Sequence, residues 1–97
     1  MSNIISGTNI SLTEGLKSHI KKQVEKFSHF DSNITNTRVF LKKDADQYVA
    51  EVQIHSSIYK DEIMTTCKSA DMYNSISSAS KKMITRLKRF NQRIKSK

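Results

Sequence analysis

Residues 71–97, DMYNSISSASKKMITRLKRFNQRIKSK, hold the pattern that decides the fold. Met72, Ile76, Ala79, Met83, Leu87, Phe90 and Ile94 recur at intervals of three and four, the period of one face of a helix. Asp71 stands where an N-cap would stand. A helix with a single apolar stripe needs an apolar layer to lie on.

The preceding residues supply that layer. Thr37, Val39 and Leu41 alternate with Arg38, Phe40 and Lys42; Ala50, Val52 and Ile54 with Glu51, Gln53 and His55; Ile63, Thr65 and Cys67 with Met64, Thr66 and Lys68. Period two with one polar face predicts antiparallel strands covered on one side only. Lys43-Asp44-Ala45-Asp46 and the segment Ser56 to Lys60 provide the hairpin connections.

Farther upstream, Asn3 to Ser6 predicts a short strand ended by Gly7, which supplies freedom for a turn. Thr13 is an N-cap, with Glu14 in the first turn, for a helix running to about His29. On it, Leu16, Ile20, Val24 and Phe27 form a core-facing seam about 80° wide at ~100° per residue. Gly15 costs this helix some propensity without breaking the pattern. Asp31-Ser32-Asn33 then reads as a loop. The expected fold is α+β: a β-α-β-β-β-α two-layer sandwich, a four-stranded sheet with both helices packed on one face. With no proline, two glycines and no repeat, residues 1–97 read as one domain.

Charge is segregated. The net charge is +8, yet residues 1–70 carry nine Lys/Arg against eight Asp/Glu, while residues 71–97 carry eight against Asp71 alone. Lys81, Lys88 and Lys95 recur every seven residues as one row, and Lys82, Arg86, Arg89 and Arg93 form a second on the other flank. On the first helix, Lys21, Lys22 and Lys26 project from the far side and Lys17 from the flank. A solvated helix face normally mixes signs to gain i,i+4 pairs; here like charges repel along a ridge about 30 Å long at 1.5 Å per residue. That points to a polyanion, and a rigid ridge suits the phosphates of structured RNA. Phe40 alone on the open sheet face is too little for base stacking. Charge by itself leaves duplex DNA and an anionic membrane surface open, the membrane less favoured because the core needs the apolar stripe.

Other chemistries find little support. No apolar run reaches membrane-spanning length, and Met1-Ser2-Asn3-Ile4-Ile5 reads as a strand start rather than a signal peptide, so the cytosol is expected. Cys67 has no partner for an internal disulfide and falls on an inward strand set. His19, His29 and His55 share no short spacing with each other or with Cys67, so no metal is expected. His19 reads as a flank residue and Tyr73 as a core-edge aromatic with its hydroxyl in water. The carboxylate pairs Asp44/Asp46 and Asp61/Glu62 sit in turns, and no glycine-rich phosphate loop is present. An enzyme using Cys67 would need a neighbouring base that the sequence does not supply. Neither catalysis nor a cofactor is expected.

The order Gly7…Thr13-Glu14-Gly15-Leu16, then Val39-Phe40-Leu41-Lys42, then Asp71-Met72-Tyr73-Asn74-Ser75-Ile76 and a closing basic helix resembles the ribosome hibernation promoting factors and ribosome-associated translation inhibitors. The resemblance spans essentially the whole chain, and Asp71-Met72-Tyr73 with Ile76 is its most specific part. It implies the same fold and one ribosome-binding domain. It also implies that basic helices bind ribosomal RNA of the small ribosomal subunit in the groove where mRNA and tRNA anticodons sit. Occupying that groove blocks translation and protects idle ribosomes. Carried over by position, the family's helix bases match Lys17, Lys26, Lys82 and Arg89. Gln23 and Thr85 stand where relatives often carry a base, with Lys22 and Arg86 one residue away. Ser77 and Lys68 replace acids, making this copy more basic. The expected RNA-binding set is therefore Lys17, Lys21, Lys22, Lys26, Lys81, Lys82, Arg86, Lys88, Arg89 and Arg93. The absence of an acidic tail or second domain after the helix favours, by resemblance, the short type. Such members act beside a ribosome modulation factor that pairs ribosomes into dimers, and a monomer is expected off the ribosome.

Overall fold

The alternation in the middle of the chain becomes a twisted sheet in a computed structural model of the protein. It describes the backbone of residues 2–30, 34–57 and 62–95, and the side chains of 4–30, 34–57 and 62–89. The elements run β1 (Ser2–Thr8), α1 (Glu14–Phe30), β2 (Ile34–Asp44), β3 (Gln47–Ser56), β4 (Ile63–Ser69) and α2 (Met72–Lys95). This is the expected β-α-β-β-β-α order, in one four-stranded sheet arranged β1-β2-β3-β4. β2, β3 and β4 pair antiparallel as their period-two patterns predict. β1 joins β2 in parallel, with Ile5 opposite Val39 and Gly7 opposite Leu41, so the sheet is mixed. The crossover helix α1 makes that parallel pairing possible, since a tight hairpin joins only antiparallel neighbours.

Every inward residue read from the alternation faces the helices. Thr37, Val39, Leu41, Ala50, Val52, Ile54, Ile63 and Thr65 are buried, and Cys67 is half-buried against them. From above, Leu16, Ile20, Val24 and Phe27 of α1 and Met72, Ile76, Ala79, Met83 and Leu87 of α2 close the core. Each large side chain buried in this way contributes about 1.5–3 kcal/mol. Phe90 and Ile94, the last members of the α2 seam, lie on the described helix with side chains outside the described residues. Ala79, with no exposed surface, lets α2 approach β4 closely enough for the Thr65 hydroxyl to donate to its carbonyl at 3.0 Å. Ser75 Oγ donates to Tyr48 O of β3 at 2.8 Å, a second, partly buried tie between helix and sheet.

The local signals resolve with three adjustments. Thr13 caps α1 as expected: the Leu16 N–H donates to Thr13 Oγ1 at 3.2 Å, and the Lys17 N–H to Thr13 O at 3.0 Å. At the start of α2 the Asp71 carbonyl accepts the Ser75 N–H at 3.0 Å, and Ser69 Oγ bonds to both backbone groups of Asp71. Gly7, however, lies inside β1, and Asn9, at φ 59°, supplies the turn. Asn enters that left-handed region more readily than most residues. Gly7 serves close approach instead: a Cβ there would sit 3.0 Å from Ile10 Cγ2 and 3.1 Å from Leu12 Cδ2, and those side chains would have to give way by a few tenths of an ångström. In the β2–β3 hairpin, Lys43 and Asp44 are still strand, and Ala45 turns the chain at φ 55°. Ser56 closes β3; the loop residues 31–33 and 58–61 lie outside the described residues.

Candidate nucleic-acid interface

Both helices lie side by side and parallel on the sheet, and two contacts fix their register. His19 Nε2 and Ser77 Oγ form a hydrogen bond of 3.0 Å near the N-terminal end. Eleven residues further along each helix, Lys88 Nζ lies 5.3 Å from the Phe30 ring centroid. The sequence marked His19 only as a flank residue. The structure makes it a bridge, with its ring 5.2 Å from that of Tyr73. Tyr73 is 43% exposed and places its hydroxyl 2.7 Å from where a Gly15 Cβ would be. The glycine inside the first turn of α1 therefore makes room for α2.

Between those two contacts runs a row of cations. Lys22 and Lys26 lie three and seven residues after His19 and share its side of α1; Lys81 lies four residues after Ser77 and seven before Lys88 on α2. All four are exposed. Lys17 and Lys21 stand apart on the opposite flank of α1, lining a cleft toward β1. Lys21 is thus separated from Lys22 and Lys26, with which the wheel alone had grouped it.

The second α2 row follows the outer edge of β4. Lys82 Nζ donates to Thr66 O at 3.3 Å, and Arg86 Nη1 donates to Met64 O. These are carbonyls of an edge strand, which otherwise stand open to another chain. The repulsion expected between Lys82 and Arg86 is thereby offset, since each cation has a carbonyl of its own. Nothing in the sequence spacing signalled that role. Arg89 is exposed one turn on from Arg86, and Arg93 follows on the described helix with its side chain outside the described residues.

The helical layer thus carries cations along three lines: the β1 flank, the groove between helices, and the β4 edge. They are exposed amines and guanidinia on rigid helices, suited to a surface of regularly spaced phosphates. Among the described residues no cluster of three or more His, Cys, Asp or Glu could hold a metal ion, and no helix is long and apolar enough to cross a membrane.

Fold and surface together define a class, a two-layer α+β domain that presents a basic helical face. Residues 4–95 match the family described as "Sigma 54 modulation protein / S30EA ribosomal protein", and the chain belongs to that family. This bears out the resemblance to the ribosome hibernation factors read from Asp71-Met72-Tyr73 and its companions. Two solved structures share the fold. A ribosomal subunit interface protein from Coxiella burnetii is 15% identical, with a TM-score of 0.86, over 95% of this chain and 99% of that one. The N-terminal domain of Thermus thermophilus Protein Y is 20% identical, with a TM-score of 0.80, over 90% of this chain and 94% of that one. No curated protein matches the chain.

Proposed function

We propose that this chain is a ribosome hibernation factor that binds the small ribosomal subunit through its helical layer. The domain lies in the groove where mRNA and tRNA anticodons sit, so that translation stops and idle ribosomes are preserved. The observation that carries this reading is the placement of cations along three lines of one rigid layer, in a chain whose family is ribosomal. Lys17, Lys21, Lys22, Lys26, Lys81, Lys82, Arg86, Lys88, Arg89 and Arg93 are the phosphate-facing set, and the inhibition is steric, with no bond made or broken. Lys22 and Lys26 act with Lys81 and Lys88 from the groove between the helices. Lys82 and Arg86 extend the surface over the β4 edge, and Lys17 and Lys21 lie on the far flank of α1. The domain works as a monomer in the cytoplasm and takes a ribosome modulation factor as its companion where ribosomes are paired.

Occupation of the decoding groove predicts competition. Increasing amounts of the protein should displace labelled initiator tRNA from mRNA-programmed small subunits, and should inhibit translation of a reporter in vitro to the same extent. Stable simultaneous binding of protein and initiator tRNA to one subunit would refute the placement. Equal displacement of the protein by unrelated duplex RNA and by small subunits would instead mark a general binder of structured RNA.

A further inference from the structure

The sheet has two outer edges, and the helices treat them differently. On β4, Lys82 and Arg86 occupy the carbonyls of Thr66 and Met64. β1 pairs with β2 alone, and among the described residues no side chain bonds to its outer backbone. An uncovered strand edge is a template for another extended chain. α1 packs mainly against α2 and β2, so the helix-facing side of β1 opens into a cleft of about 200 Å³.

The lining of that cleft is selective. Its walls are aliphatic, from Ile5, Ile20 and Val24, and among the described residues Lys17 and Lys21 are the only charges in its lining. Thr37, also in the lining, is 1% exposed, and among the described residues its buried Oγ1 has no hydrogen-bond partner. A buried hydroxyl left unpaired costs about 1–3 kcal/mol. Ile4 on β1, another lining residue, is 46% exposed.

We propose that the β1 edge and this cleft together dock an extended acidic peptide segment of another protein. The segment adds to β1 as a fifth strand and seats one aromatic side chain, tyrosine by preference, in the cleft. The tyrosine hydroxyl pairs with Thr37 Oγ1, and flanking carboxylates meet Lys17 and Lys21. Other occupants fit less well. A nucleobase carries polar atoms on several edges, and aliphatic walls with one hydroxyl would leave most of them unpaired. An acyl chain would fill the walls but leave both Thr37 and the strand edge unsatisfied. A second copy of this chain meets its own net charge of +8. The site is distinct from the groove between the helices, although Lys17 and Lys21 belong both to its lining and to the phosphate-facing set.

The test uses the full chain with labelled Ile and Val methyl groups, followed by NMR. The probes are an acetylated Glu-Val-Glu-Tyr-Glu-Val-Glu amide, its Phe counterpart, and the Tyr peptide N-methylated at alternate backbone amides. The methyls of Ile5, Ile20 and Val24 are expected to shift with the Tyr peptide, and N-methylation should abolish that shift. Tyr should bind about 3–10-fold more tightly than Phe, the worth of one hydrogen bond. Thr37→Val, which keeps the volume, should erase the preference. The proposal is overturned if neither peptide moves these methyls, or if the Tyr preference survives Thr37→Val. It is equally overturned if hexauridylate or decanoate moves them at lower concentration than the peptide, or if they shift with protein concentration alone.

Discussion

Two pairs of cations on α2 carry the same charge but do different work, and a thermal melt should separate them. Replacing Lys82 and Arg86 with Gln removes two bonds to the β4 edge, whereas replacing Lys81 and Arg89 with Gln removes exposed side chains with no such bonds. Gln and the two cations have similar helix propensity, so the substitutions differ in contacts alone. A bond from a charged donor is worth about 1.5–3 kcal/mol when buried; at these exposed positions screening reduces each to about 0.5–1 kcal/mol. Against that, losing the Lys82–Arg86 repulsion returns roughly 0.3–0.5 kcal/mol. The net cost of Lys82→Gln with Arg86→Gln is then about 1 kcal/mol, a fall in Tm of about 4–8 °C for a domain of this size. Lys81→Gln with Arg89→Gln should move Tm by no more than about 2–4 °C, since surface changes away from such contacts stay within roughly ±0.5 kcal/mol. Circular dichroism melts of both double variants and the parent make the comparison. Equal Tm values for the two variants would refute the edge-covering role of Lys82 and Arg86.

Two further perturbations probe the packing beneath the surface. Gly15→Ala should gain about 0.5–1 kcal/mol of helix propensity when Tyr73 is Leu, but close to nothing in the parent, where the new Cβ meets the Tyr73 hydroxyl. Urea titrations of the four proteins in that cycle measure the coupling, and additive effects would contradict the contact. Thr37→Val should raise stability by about 1 kcal/mol by removing an unpaired buried hydroxyl, and an unchanged or lower urea midpoint would show that Thr37 has a partner.

The sequence was most informative where a repeating pattern had a face to bury. The seam of α2 from Met72 to Leu87, the narrower seam of α1 and the inward sets of three strands all emerge as read, because each follows from periodicity and burial. Thr13 was legible for a similar reason: a hydroxyl just ahead of an apolar period has a helix N–H within reach. The direction of β1 was not, since a short strand with few side chains in the core leaves little alternation to read. Gly7 shows how one residue type serves two ends. A glycine before a helix suggests a turn, yet here it admits Ile10 and Leu12 while Asn9 takes the positive φ. The cations were visible as residues but not as partners. A helical wheel separates flanks, but it does not say which flank overlies a strand edge, as with Lys82 and Arg86, or a cleft, as with Lys17 and Lys21. His19 and Ser77 lie 58 positions apart, and their bond has no signature in spacing at all.

The central claim is that the helical cations hold the small ribosomal subunit through phosphates. Cosedimentation of the protein with purified small subunits across increasing potassium chloride tests it most directly. If about six of the ten phosphate-facing cations are neutralised at once, log affinity should fall against log salt with a slope of about −4 to −5, and Lys82→Ala with Arg89→Ala should flatten it by about 1.5. Binding that ignores salt, or a slope unchanged in that folded double variant, would contradict the account.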